Sequence, residues 1–362
     1  MWLRAADEEA ALEQLHAAGC TDGLPVVIPT AARVARCVLA SGLDADIELG
    51  EMGPAWGVAT VEKVAVAAVM AGCLPDHMPV VVAGIRALCQ PAFDLAEMQS
   101  TTHCVAPLLI VNGPARAACG GFACGFGVLG PGHRANAAVG RALRLAMINI
   151  GGVRPGESDM ALHGHPGKFT YCIAEDEESS PFAPLHTSRG FDATQSVVTV
   201  VSAEAPHSVL FAGDSDDPEV ADALLNVLAA TIANRGSNNL YLGGSAAVVV
   251  VLNPEHAGYL HAAGLDRAAI QAELAARAVV PRSELNAFKP RMLVSEGEAV
   301  HAVREAENIL LLVAGGPGLY SMVMPSWCAG PHGNRAVNEE IEMNAYCELP
   351  LAASTAEGRI EN

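Results

Sequence analysis

Four short runs of aliphatic, mostly β-branched residues constrain this chain more than anything else in it: VAPLLIVN (105–112), SVVTVVSA (196–203), AAVVVVLN (246–253) and NILLLVAG (308–315). Each has the length of a strand and no polar stripe, which predicts strands buried in a core. Segments of helical length lie between and before them, among them ATVEKVAVAAVMAG (59–72), the stretch opening at Gly130, PEVADALLNVLAATIAN (218–234) and a helix pair over 254–277. MPVVVAGIRALC (78–89) fits either period; Pro79 suits a first helical turn, so a helix is expected. A further strand is expected over KFTYCIA (168–174). Strands and helices alternate, which predicts an α/β fold: a mixed sheet with helices on its faces.

Two glycine-rich passages resemble each other. LLIVNGP (108–114) leads to GPGHRANAAV (130–139), and LLLVAGGPG (310–318) leads to GPHGNRAVNE (330–339). The expectation is two similar α/β halves, 1–175 and 176–362, or one continuous domain built from both. Half of the 362 residues are hydrophobic and 17% are charged, enough for a sizeable core. The formal charge of −19 argues against a phosphate-backbone partner, so nucleic acid is not expected. MWLRAADEEAALEQL at the start carries acidic residues where a signal peptide needs an apolar segment. No apolar run approaches the roughly 20 residues that span a bilayer. Ten cysteines include no C-x-x-C pair. The expectation is a cytoplasmic protein with reduced thiols, no membrane segment and no finger-type zinc.

Three constellations carry possible chemistry. The first is GPGHRAN (130–136), at the doorway of a long apolar helix. A first helical turn offers unpaired N–H groups and the positive end of the macrodipole. Gly130 and Gly132 allow close approach, and His133, Arg134, Asn136 and Arg141 add donors, a set suited to a carboxylate or phosphate. A plain glycine turn with Arg134 paired to a protein carboxylate accounts for it equally. The Gly-Lys-Ser/Thr ending of a P-loop and the dinucleotide fingerprint are both missing, so NAD is not expected.

The second is LHGHPGKFTYCIAEDEE (162–178). His163 and His165, one residue apart, would point the same way in an extended segment and could share a divalent metal. His165, Lys168 and Glu175 are candidates for proton transfer and charge stabilisation, and Cys172 for thiol chemistry. The bland alternative is a surface loop whose histidines pair with the acidic run. The third is MQSTTHCVAPLL (98–109), where His103 and Cys104 precede a strand. Neighbours on a strand face opposite ways, so Cys104 activated by another histidine, or His103 acting alone, is easier to build than a dyad of the two; small apolar packing accounts for the cysteine as well.

TDGLPVVIPT, THCVAPLLIVNGP, LGPGHRANAAVGRALRL, GHPGKFTYCIAEDEE and ENILLLVAGGPG with PSW together resemble a poorly characterised bacterial family. Its members occur beside, or joined to, small redox-type proteins with a UGSC motif (selenocysteine- or cysteine-Gly-Ser-Cys). The resemblance covers most of the chain and places His103, Gly130 to Asn136, His165, Lys168, Cys172 and Glu175 in the family-like motifs. It implies thiol or selenol chemistry in small-molecule metabolism. This chain has no Cys-Gly-Ser-Cys sequence, so such a redox centre would come from a separate small subunit of an oligomer.

The leading expectation is therefore an enzyme, an oxidoreductase or lyase, that acts on a small anionic metabolite by thiol-linked redox or C–S/C–X bond chemistry with a redox subunit. One alternative is a metal-dependent lyase or hydrolase using His163 and His165. Another is a non-catalytic scaffold or binding subunit of a redox complex.

Overall fold

The structure, a computed structural model, describes residues 3–289 and 291–344. The apolar runs form strands of two four-stranded sheets, three of them inner strands and the fourth, Ile309–Val313, an outer one. In the first the order is Val337–Glu340, Val197–Ala203, Ala106–Asn112, Cys172–Ala174. Ala106–Asn112 lies parallel to Cys172–Ala174 and antiparallel to Val197–Ala203, which pairs antiparallel with Val337–Glu340. In the second the order is His207–Leu210, Tyr320–Met324, Val248–Leu252, Ile309–Val313. Val248–Leu252 again has one parallel and one antiparallel neighbour, and the outermost pair is antiparallel.

The two sheets repeat one pattern of strand directions, with their last strands exchanged. His207–Leu210 follows Val197–Ala203 in sequence but completes the second sheet, while Val337–Glu340 follows Tyr320–Met324 and completes the first. The sheets therefore do not divide at residue 175, and the two halves are built into one another. The internal resemblance also shifts: the strand equivalent to Ala106–Asn112 is Val248–Leu252, and Ile309–Val313 corresponds to Cys172–Ala174.

Alternation along these strands explains why they are apolar on both faces. Leu108, Ile110 and Val201 meet Val249, Val251, Leu310 and Leu312 in a core between the sheets. Leu109, Val111, Val198 and Val200 point the other way, into a core built with helices Ala31–Ser41, Val61–Ala71, Met78–Cys89 and Arg134–Asn149. Val248, Val250 and Leu252 pack likewise on helices Val220–Ile232, Pro254–Ala262 and Arg267–Arg277. The result is four layers: helices, sheet, sheet, helices. Each aliphatic side chain fully buried here stabilises by about 1.5–3 kcal/mol, so continuous apolar runs are what a doubly covered strand selects.

Helix starts follow local chemistry. Thr30 and Thr60 accept hydrogen bonds from the N–H groups of Arg33 and Lys63, and Asn253 from that of His256. Met78–Cys89 is a helix, as Pro79 predicted. Strand Cys172–Ala174 is shorter than KFTYCIA, because Pro166–Lys168 turns into a 3-10 helix. Among the described residues no single helix is long and apolar enough to cross a membrane. The described cysteines other than Cys119 are free thiols; Cys347 lies outside the described residues.

Candidate functional site

The amino end of strand Ala106–Asn112, the start of strand Cys172–Ala174 and the carboxyl end of Val197–Ala203 lie at one end of the first sheet. That end gathers His103 and Cys104, His165, Lys168 and Tyr171, and Glu204. The second half closes it: Glu204 N–H donates to the Pro325 carbonyl, and Ala203 pairs with Ser326.

His103 and Cys104 face different partners, as their adjacency requires. The Asn238 amide donates to His103 Nδ1 at 2.9 Å, which leaves the proton on Nε2, 2.9 Å from Glu204 Oε1. This is an imidazole whose tautomer and orientation are fixed by an amide on one side and a carboxylate on the other. Cys104 is half-buried, and its Sγ accepts the Gly164 N–H at 3.3 Å. The Lys168 ammonium lies near enough to Cys104 for each charge to act on the other. Lys168 pairs with Asp159 at 2.7 Å. Burial pushes its pKa down, and the Asp159 carboxylate opposes the shift. Arg144, almost fully buried, donates from Nε to the Lys168 carbonyl. Burial lowers its pKa to about 10 against the pull of Asp159 and Asp22. A thiol, a hydrogen-bond donor and a partly desolvated cation thus stand together around Cys104.

His165 supports this loop. Its Nδ1 accepts the Gly167 N–H at 3.1 Å, so Nε2 carries the proton. Nε2 is buried without a regular hydrogen bond, and the ring packs edge-on against Tyr171. Burial lowers the pKa to about 4, opposed by the Ala203 carbonyl, with Lys168 and Arg144 adding to the fall. His163 is exposed. Among the described residues no cysteine, carboxylate or further histidine joins this pair as a third metal ligand, so the expected His163/His165 metal site lacks a ligand set.

The remaining expected residues lie elsewhere. Cys172 is buried among the helix-facing apolar residues, and burial pushes its thiol far up, which suits packing and not nucleophilic attack. Glu175 is three residues further along, about 10 Å at strand rise, at the opposite end of the sheet. There its fully buried carboxylate accepts from Arg267 at 2.9 Å, from Asn112 at 2.6 Å and from the Leu185 N–H at 2.7 Å. It ties the halves together and does not face His165.

The helix entrance is also separate. Ten residues of helix, about 15 Å, lie between Arg134 and Arg144. Arg134 donates twice to the Gly72 carbonyl, His133 Nε2 lies 3.2 Å from the Phe126 carbonyl, and Arg141 forms a bidentate pair with Asp22. Asn136, buried, donates to the Ala123 carbonyl and accepts from the Ala123 N–H, both at 2.9 Å. Gly130 and Gly132 remain exposed, but the donors expected to grip an anion hold the protein's own loops.

Glu204, Asn238 and Asp159 escaped sequence reasoning. Glu204 and Asn238 lie 101 and 135 residues from His103, in no shared motif. Asp159 left a faint signal, an acid within the glycine-rich loop before the histidines. Two surface hollows, one lined by Pro79, Arg86 and Glu342 and one by Asn226, Arg235 and Arg277, lie away from the His103–Cys104 cluster. Met160, Leu162 and Phe169 stand exposed on the loop that carries Lys168. Comparison with family models, curated proteins and solved structures gives no match to this chain.

Proposed function

We propose that this protein is an enzyme of small-molecule metabolism that acts on a small anionic substrate by thiol-linked chemistry at Cys104. The observation that carries the reading is the meeting of Cys104 with the Gly164 N–H and the Lys168 ammonium, beside a His103–Glu204 pair. In this reading the Cys104 Sγ is the nucleophile, Lys168 and Arg144 attract the substrate's negative charge, and His103, oriented by Glu204, moves a proton. The redox subunit implied by the UGSC-type resemblance fits the same end of the molecule. Met160, Leu162 and Phe169 form an apolar rim there, and a docked protein would cover it and close off a shallow site.

The test is selective alkylation. At neutral pH, limiting iodoacetamide followed by peptide mapping should label Cys104 ahead of the buried thiols, and Lys168→Met should slow that labelling by about threefold or more. Equal labelling of Cys104 with and without Lys168 removes the reading. Isolation of the tagged protein from its native host should bring down a small UGSC-type protein, and Leu162→Asp should abolish that association.

A further inference from the structure

A second group of side chains stands at the opposite end of the first sheet. The Sγ of Cys124, a carboxylate oxygen of Asp176 and one of Glu178 all lie within 4.8 Å of one another. They come from two segments. Cys124 belongs to the loop between strand Ala106–Asn112 and helix Arg134–Asn149, and the two acids follow strand Cys172–Ala174.

Main-chain bonds hold both segments in place. Asp176 N–H donates to the Val313 carbonyl at 2.8 Å, and Gly315 N–H donates to the Cys124 carbonyl at 2.7 Å. The neighbouring Ala123 is clamped on both sides by Asn136. The group therefore sits where the carboxyl ends of the two parallel strand pairs meet, a place where α/β sheets commonly present ligand sites.

Charge supplies an independent argument. Of the four consecutive acids, Glu175 pairs with Arg267, and Glu177 and Glu178 both pair with Arg116. Asp176 is only 8% exposed, yet it makes no ion pair among the described residues. Its carboxylate accepts one hydrogen bond, from the Ser179 N–H to Oδ1. Buried charges are normally paired or bound to metal, and this one points at a thiol and a second carboxylate.

We propose that Cys124, Asp176 and Glu178 form a zinc site. One thiolate with two carboxylates suits a borderline ion such as Zn²⁺ better than Mg²⁺ or Ca²⁺, which prefer all-oxygen shells. Ligand atoms at zinc distances stand about 3.3–3.8 Å apart, so side-chain shifts of about 1 Å complete the set. Glu178 already accepts two hydrogen bonds from Arg116, and each of its oxygens keeps a lone pair for the ion. Glu178 is exposed, so an ion can reach the site, and three protein ligands leave a fourth position open to water.

Calorimetric titration of chelator-treated protein with ZnCl₂ should show one equivalent bound per chain, with no competition from MgCl₂ or CaCl₂. Cys124→Ser and Asp176→Asn should each weaken binding by about tenfold or more, while His163→Gln leaves it unchanged. Co²⁺ in place of zinc should give a thiolate charge-transfer band that Cys124→Ser removes. Metal-free Asp176→Asn should melt no lower than the parent, since it removes an uncompensated charge, and should lose the zinc-induced rise in Tm. Absence of stoichiometric zinc overturns the proposal. So does zinc affinity unchanged in both ligand variants, or Mg²⁺ or Ca²⁺ binding that survives Cys124→Ser.

Discussion

His165 and His77 are both held neutral by burial. His77 accepts the Leu74 N–H at Nδ1, and its Nε2 is buried without a partner. Burial lowers each from the ordinary 6.5 to about 4, with the Arg134 charge adding to the fall at His77. Folded protein therefore binds fewer protons than unfolded protein between those values. The stabilisation is complete above about pH 6.5 and is lost as pH falls toward 4. Each histidine contributes on the order of 2–3 kcal/mol to that loss. Urea unfolding at pH 7 and pH 4.5 should show it, and a His77→Asn/His165→Asn variant should lose distinctly less over the same interval. Equal losses in parent and variant would mean that carboxylates alone set the acid limit. Sequence reading offered His165 for proton transfer or metal binding, and the structure shows it as a buried ring beside Tyr171. Glycine and histidine neighbours suggested a ligand, whereas burial and the Gly167 N–H, which fix the tautomer, belong to the tertiary structure. For His103 and Cys104 the divergence of two adjacent side chains was readable locally, but their partners were not.

Helix Arg134–Asn149 shows the same limit for a whole element. Its existence, its apolar face and its polar start were all legible, because period and composition are local properties. What the start holds was not. Arg134 and Asn136 satisfy carbonyls at Gly72 and Ala123, positions far enough away that only the folded chain brings them near. Asn136 is the key residue, since it fills both main-chain groups of Ala123 and so fixes the loop that carries Cys124. Asn136→Ala should cost about 1–3 kcal/mol, the usual penalty for leaving buried polar groups unpaired. Amides around residues 120–128 should exchange faster with solvent in that variant, while those of the helix interior stay protected. Strands with continuous apolar runs were equally legible, the outer Ile309–Val313 included, and the others were not; the inner strand Tyr320–Met324 went unexpected. HSVL (207–210) and VNEE (337–340) carry too few apolar residues to announce themselves, and pairing makes them strands.

The exchange of those edge strands decides how the whole molecule behaves. Each sheet is completed by a strand that belongs, in sequence, to the other half, and the sheets share a core of Leu108, Ile110, Val249, Val251, Leu310 and Leu312. The buried Glu175–Arg267 pair crosses between the halves as well. Neither half has a complete core without the other, so the chain should open globally as one unit. Val337, 4% exposed and paired with Val200, offers a way to test this. Val337→Asp places an unpaired charge in the helix-facing core of the first sheet, at a cost of about 3 kcal/mol or more. Hydrogen exchange should then show Val248–Leu252 losing as much protection as Ala106–Asn112, although residue 337 pairs in the first sheet and packs on its helix side. Protection lost from the first sheet alone would mean two independently stable halves, and the exchanged strands would be no more than a link between them. Equal loss would mean that the two ends of the first sheet, one with Cys104 and one with Cys124, owe their geometry to a single folding event.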